Sequence, residues 1–333
     1  MTRPPIICLT PVKNEAWILE RFLKAASLWA DHIIIADQQS SDDSCAIAAN
    51  FPKVTLIVNP DTAYDETARQ RLLINAARCI APQSLLIALD ADEFLPANLF
   101  ANPEWRQATM SAPGTVIKFR WANICPDLHH YWLSPAEHPW GFMDDGREHT
   151  GRKIHSTRVP APPNAPTIVL QEVRVLHYQY AEWARMQSKH RWYQCWERTQ
   201  YPKKRALDIY RLYHHMDRIS PCKLHKLPTE WTSSYVDQGI DLLSFPAKDS
   251  YWWDEEVLKM FTQYGVKMFR KEAIWDFDWT STSRHLHGDT APEIRDPRSL
   301  IDKFMHQFLY ATQPLAQSIP MKVLQKFFAL IRW

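Results

Sequence analysis

Leu85-Leu-Ile-Ala-Leu-Asp-Ala-Asp-Glu93 decides the fold. Its short apolar run has no polar alternation, so it reads as a strand covered on both faces. The run stops at Asp90. In extended chain Asp90 and Asp92 point the same way, because side chains alternate with period two. A strand buried on both faces belongs to a mostly parallel sheet with helices above and below, and in such sheets ligands bind beyond the carboxyl ends of the strands. The paired carboxylates fall at that edge.

Toward the amino terminus the same pattern recurs. Pro5 to Thr10, His32 to Ala36 and Val54 to Val58 are short apolar runs read as strands. Between them, Asn14 is expected to cap a helix whose inward stripe is Ile18, Phe22, Ala26 and Trp29. The loop Ser40-Ser-Asp-Asp43 is expected to cap a helix running to Asn50. A third helix is expected from about Ala63 to Ile80, with Leu72, Leu73, Ala76, Ala77 and Ile80 on one side. Strand alternating with helix implies parallel pairing through right-handed crossovers. Asn14 and Glu15 after the first strand, Asp37 after the second, and Asp90 and Asp92 after the fourth then converge on one edge.

The motifs Pro11-Val-Lys-Asn-Glu15, Ile33-Ile-Ile-Ala-Asp37 with Ser41 and Asp42, and Leu89-Asp-Ala-Asp-Glu93, in this order and spacing, resemble the family 2 glycosyltransferases of the GT-A fold. The likeness covers roughly residues 5–95 and thins toward 200. It implies a GT-A-like, Rossmann-type α/β sandwich with a central, mostly parallel sheet. Pro11, Asn14, Glu15 and Asp37 would hold the base and ribose of a nucleotide-sugar donor. Asp90 and Asp92 would hold Mn²⁺ or Mg²⁺ across its diphosphate. The residue types agree: carboxylates accept from ribose hydroxyls, and a hard cation takes oxygen ligands and offsets the charge on a leaving diphosphate. The family also tends to place a basic residue on the third helix, for which Arg69 and Arg71 are candidates. A late histidine often completes the metal site; His177 matches in position, with His155 as second contender. Transfer by inversion would need an acidic base on the acceptor side, and Asp144, Asp145 and Glu148 are the candidates, with Glu172 and Glu182 behind them. Trp132 and Trp140 are candidates to stack on sugar faces.

From Thr115 the pattern is weaker. Thr115 to Trp121, Lys153 to Arg158 and Glu172 to Tyr178 read as further strands, and 121–151 as a long loop over the site. Residues 1–180 are expected to form the nucleotide-sugar-binding domain and 181–333 a mostly helical extension. Residues 185–226 carry 11 Lys or Arg against 3 acids. That charge suits donor phosphates, an anionic acceptor, acidic lipid headgroups or a solvated helical face; single-stranded nucleic acid ranks last, and no nucleic-acid partner is expected. The tail Pro320 to Trp333 is amphipathic, with Val323, Leu324, Phe327, Phe328 and Ile331 opposite Lys322, Gln325, Lys326 and Arg332, and is expected to pack on the body of the protein. A glycan or lipid-linked acceptor and a peripheral membrane contact fit this reading.

Composition narrows the alternatives. The net charge of +2 and 23% charged residues point to no polyanionic partner for the chain as a whole. The apolar run Ile6 to Leu9 is too short for a secretory leader, and no stretch approaches the ~20 apolar residues of a membrane span. Six cysteines without a CxxC pair suit free thiols in a reducing compartment. A cytoplasmic protein, at most bound to a membrane surface, is expected. A nucleotidyltransferase on a similar sheet would want a glycine-rich loop after the first strand to grip a triphosphate, and none follows Leu9.

Overall fold

The computed structural model describes residues 3–61, 65–245, 248, 250–316 and 318–330, without the side chains of 326, 327, 329 and 330. Ala63, Ile331 and Arg332, and the side chains of Lys326 and Phe327, therefore lie outside what is described. The chain divides into two compact units, 1–181 with 225–245, and 182–224 with 246–333.

In the first unit, β1 (Ile6–Val12), α1 (Leu19–Trp29), β2 (His32–Asp37), α2 (Ser44–Ala49), β3 (Val54–Val58), α3 (Glu66–Ile80) and β4 (Leu85–Ala88) follow in alternation. Then come β5 (Glu93–Phe94), α4 (Pro103–Thr109), β6 (Val116–Phe119), β7 (Trp121–Ile124), β8 (His130–Leu133), β9 (His138–Met143), β10 (Thr167–Val169) and β11 (Val175–His177). Among the described residues the main sheet has the order β10-β6-β9-β4-β1-β2-β3. β4, β1, β2 and β3 are mutually parallel, whereas β9 runs antiparallel to both β4 and β6. The fold is thus mixed α/β with a central, mostly parallel sheet. A smaller sheet contains β8, β7, β11 and β5.

The apolar runs are continuous because both faces of the sheet are covered. Ile6, Cys8, Ile33, Ile35, Leu85 and Ile87 face a core with Phe22, Leu23 and Trp29 of α1. Ile7, Leu9, Ile34, Ala36, Leu86 and Ala88 face another with Leu73, Ile74 and Ala77 of α3. Asp65 caps α3 by accepting from the Ala68 amide, a contact worth about 1 kcal/mol.

Several expectations are corrected. Residues 121–151 are not a loop: their aromatic residues build β7, β8 and β9. Residues 153–158 form bends rather than a strand, because the segment is tied to the start of α3. There Glu66 N–H donates to the Lys153 carbonyl, Thr67 Oγ1 to the Arg152 carbonyl, and Ser156 N–H to Glu66 Oε2. Asn14 does not cap α1, which starts at Leu19. The Ser40–Asp43 loop makes no side-chain cap on α2 either.

The second unit contains α5 (Trp183–Gln200) and α6 (Ala206–Tyr213). After them come β12 (Leu224–Lys226), which joins the smaller sheet, and α7 (Ser233–Asp237) within the first unit's return segment. The second unit then resumes with α8 (Trp252–Tyr264), α9 (Trp279–His287), α10 (Leu300–Ala311) and α11 (Ile319–Leu330). Much of the basic charge of 185–226 is paired inside this unit: Arg191 with Asp254, Arg198 with Glu272, Lys204 with Glu197. Phe328 of α11 packs with Leu207, Tyr210, Met305 and Leu309 of α6 and α10. Among the described residues no helix is long and apolar enough to cross a membrane, and all six cysteines are free.

Candidate active site at the carboxyl edge of the sheet

The carboxyl ends of β1, β2 and β4 lie side by side, since Val12 pairs with Asp37 and Leu9 with Ala88. The loop after β1 is laced to the loop after β2. Asn14 adopts φ +56°, the left-handed region that Asn tolerates better than most residues. Its N–H donates to Ser40 Oγ (2.9 Å), and its Oδ1 accepts from Ser41 N–H (2.8 Å). Glu15 N–H donates to Ser44 Oγ (2.9 Å) and Ala16 N–H to Asp42 Oδ2 (3.0 Å). These polar side chains satisfy backbone amides of a neighbouring loop, which fixes the edge. Pro11 lies within β1 opposite Ala36. Asp37 is buried and accepts from Ser40 N–H at 3.0 Å. Beside it Gln38 Oε1 accepts from Arg69 Nη1 at 2.8 Å, so Arg69 reaches this edge from α3. Arg71 instead donates to the His149 carbonyl and lies 3.8 Å from Glu148.

The β4–β5 turn brings the acidic groups together around one arginine. Arg158 Nη2 lies 2.7 Å from Asp90 Oδ2, and both its terminal nitrogens bond Glu93. The guanidinium stands over the Trp140 ring, 5.0 Å from its centroid. Glu93 is fully buried and also accepts from Trp121 Nε1 (2.7 Å) and from the Asp90 amide (2.9 Å). Burial, with the charges of Asp90 and Asp92, pushes the Glu93 carboxyl up to about 7 against the pull of Arg158. Burial alone would lower Arg158, but the carboxylates of Asp90 and Glu93 outweigh it and hold the guanidinium charged. Asp92 is 3% exposed, and its carbonyl accepts from Tyr178 N–H.

The smaller sheet delivers His177 to the same place. In the β5–β11 register His177 stands opposite Glu93. Its ring stacks on Trp121 at 4.7 Å, and Nδ1 lies 2.8 Å from Asn123 Oδ1. A carboxamide oxygen only accepts, so Nδ1 carries the proton and the ring lone pair sits on Nε2. His138, at the start of β9, stacks on Trp140; burial and then Arg158 lower it to about 4. Trp132 packs against Tyr180.

The structure therefore gathers Asn14, Glu15, Asp37, Arg69, Asp90, Asp92 and His177 along one edge. It does not bring Asp144 and Asp145 there, and Glu148 lies 3.8 Å from Arg71 of α3. β9 runs antiparallel to β4, so its end reaches the opposite edge, where Asp144 N–H donates to the Ser84 carbonyl ahead of β4. Asp144 is buried in a two-point pair with Arg78 in the last turn of α3 (2.8 and 2.9 Å), and Asp145 is paired with Arg147. Glu172 accepts from Asn102, Glu182 caps α5, and His155 is exposed. Arg158, Trp121, Asn123 and His138 were not foreseen. The aromatic density of 121–140 was the only signal for the last three, and none marked Arg158.

Among the described residues no three His, Cys, Asp or Glu side chains form a group that would hold an ion, and Asp90 already shares one oxygen with Arg158. What remains is acidic: Asp90 and Glu93 share one guanidinium, and the Asp92 carboxylate acts on Glu93 from the same turn. Such a set fits a hard cation that brings phosphate and water oxygens with it, rather than one caged by protein alone. The second unit encloses a separate cleft of about 540 Å³. Its Arg191, Arg298 and His214 are already paired with Asp254, Asp276 and Asp217, and it has no comparable carboxylate group.

No protein-family model matches the chain, and a search of curated proteins finds no match. Solved structures do resemble it. One is glucosyl-3-phosphoglycerate synthase from Mycobacterium tuberculosis in complex with Mn²⁺, UDP and glucosyl-3-phosphoglycerate, at 19% identity and TM-score 0.27, covering 35% of this chain and 44% of that one. Another is 4-diphosphocytidyl-2C-methyl-D-erythritol synthase, at 18% and 0.28, covering 35% and 60%. A third is mannose-1-phosphate geranyltransferase from Thermus thermophilus, at 15% and 0.27, covering 39% and 46%. The chain thus spans less than two thirds of each.

Proposed function

We propose that the chain is a glycosyltransferase that takes a sugar from a nucleotide-sugar donor bound at the carboxyl edge of the main sheet. One observation carries this reading: Asp90, Asp92, Glu93 and His177, from two strands and the turn joining β4 to β5, converge beside the laced loops that follow β1 and β2. In this reading Asp37 and Gln38 offer acceptors to ribose hydroxyls or a base N–H. Asn14 and Glu15 shape that end of the cleft, and Arg69, steadied by Gln38, lies where phosphate would pass. Asp90 and Asp92 would hold Mn²⁺ or Mg²⁺ together with the donor's phosphate oxygens, with His177 as a further ligand only once the ion is bound, since the three do not form a ready ion-holding group by themselves; the ion would offset the charge of the leaving diphosphate. Imidazole among the ligands favours Mn²⁺ over Mg²⁺.

Arg158 has a separate task. It keeps Asp90 and Glu93 from repelling each other before any donor arrives, and it sets the orientation of Asp90. Trp121 and Trp140 hold the histidine ring and the guanidinium in place, so the acidic edge is formed in advance. The acceptor this chemistry requires is a hydroxyl, on a glycan, a lipid-linked molecule or another compound. A nucleotidyltransferase is disfavoured by the stretch after β1, which contains no glycine between Val12 and Ile18.

The test is thermal stability with UDP-, GDP- and CMP-sugars and Mn²⁺. At least one donor should raise Tm for the wild type by mass action, and Asp92→Asn should abolish the rise. No response to any donor, or an equal response in Asp92→Asn, would sink the reading.

A further inference from the structure

The cleft of about 540 Å³ in the second unit is lined by residues of α5, α6 and α10 and of the turn ahead of α9. That volume lies within the roughly 300–1,000 Å³ of small-molecule sites, and its lining belongs to this one unit. The charges there are matched in pairs at short range. Arg191 Nη2 bonds Asp254 at 2.8 Å, Arg298 Nη2 bonds Asp276 at 2.7 Å, and His214 Nδ1 lies 2.7 Å from Asp217. Lys303 lies 3.4 Å from Asp296. An anionic ligand would have to draw a cation away from its carboxylate, and a cationic one would have to displace a guanidinium or an imidazole. Breaking such a pair costs more than it returns when a charge is left behind. The cleft therefore suits a neutral ligand.

The pairs leave over hydrogen-bonding capacity of both kinds. Asp217 and Asp276 each give one carboxylate oxygen to the partner named, and the other can accept. Gln187 of α5 and Gln307 of α10 are exposed, and among the described residues their carboxamides make no hydrogen bond; a carboxamide both donates and accepts. Donors and acceptors in one place match hydroxyls, each of which does both. A wholly apolar ligand would leave these groups unpaired.

The rings add one flat apolar face. Tyr210 stacks on His214 at 4.2 Å, Tyr213 stacks on Tyr193 at 5.3 Å, and Phe277 lies under the Arg191 guanidinium at 3.7 Å. Tyr310 of α10, in contrast, is 51% exposed, with Arg218 over the ring 5.5 Å from its centroid. A pyranose is complementary to this lining: it carries hydroxyls around its rim and a face of C–H bonds that lies flat on an aromatic ring.

We propose that the cleft of the second unit binds a neutral saccharide. The proposal rests on this unit alone and does not depend on the donor-site reading. The test is saturation-transfer NMR on the full chain, without nucleotide or metal, with maltose, lactose, sucrose and N,N′-diacetylchitobiose as probes. At least one should receive saturation from the protein. Tyr310→Ala/Gln307→Ala, which removes two exposed side chains and so keeps the fold, should weaken its binding at least about tenfold through the lost ring face and hydrogen bonds. Adding UDP with Mn²⁺ should leave the saccharide bound. Absence of saturation for all these probes, or equal affinity in the variant, would overturn the proposal. So would displacement by UDP with Mn²⁺, which would put the sugar at the sheet edge, or by inorganic phosphate, which would make the cleft an anion site.

Discussion

Arg158 reaches Asp90 with one nitrogen at 2.7 Å and grips Glu93 with two, from a segment with no regular secondary structure. Nearly seventy residues of chain separate the partners, yet the guanidinium is enclosed with Trp140 beneath it. Removing one member of such a buried group costs about 3–5 kcal/mol, because the partner charge is left uncompensated. Arg158→Met is therefore expected to lower unfolding free energy by about that amount in urea titration. Arg158→Lys should recover only part of it, since an ammonium cannot make the forked contact. A lysine variant as stable as wild type would show that the fork is unimportant.

Asp144 provides the opposite case. Its pair with Arg78 sits at the amino-terminal edge of β4, remote from Asp90 along the same strand. Asp144→Asn should destabilise by about 2–4 kcal/mol, as a partly buried guanidinium loses its counter-charge. The Tm rise given by donor and Mn²⁺ should nevertheless persist in the variant. Loss of that response in protein that remains folded would return Asp144 to the site.

The contrast between these residues shows what the sequence could and could not tell. β1 to β4 were legible because burial on both faces leaves uninterrupted apolar runs, and the positions of Asp37, Asp90 and Asp92 follow from where those runs stop. The direction of β9 was not legible. Nothing local says that His138–Met143 runs against β4, and that reversal alone sends Asp144 and Asp145 to one edge and His138 and Trp140 to the other. Asn14 looked like a helix cap because Asn before a helical stripe usually is one; here its side chain serves a neighbouring loop instead. Arg158 left no periodic trace because its segment takes its shape from Glu66 and Thr67 of α3.

Asn123 fixes the His177 tautomer through the 2.8 Å contact at Nδ1. Partners of this kind typically account for about 10–100-fold in metal affinity. Asn123→Ala should weaken Mn²⁺ binding in the presence of nucleoside diphosphate by at least about tenfold in calorimetry. Asn123→Asp, which still accepts from Nδ1–H, should retain most of it. If Asn123→Ala binds Mn²⁺ like the wild type, His177 is no ligand.

Glu272 in the second unit gives a pH signature independent of any ligand. It is fully buried against Arg198 Nε at 2.6 Å, and burial, opposed by Arg198, pushes its carboxyl from 4.5 up to about 7. A carboxyl whose pKa is higher folded than unfolded binds the proton more tightly in the native state, so its contribution is complete below the unfolded value and is lost as pH rises through the folded one. Relative to Glu272→Gln, which cannot titrate and keeps the shape, wild-type stability should therefore decline between pH about 4.5 and about 7 and run parallel above that window. Urea midpoints at four pH values for both proteins measure the difference. A constant gap across the window would mean that Glu272 remains ionised throughout, held so by Arg198.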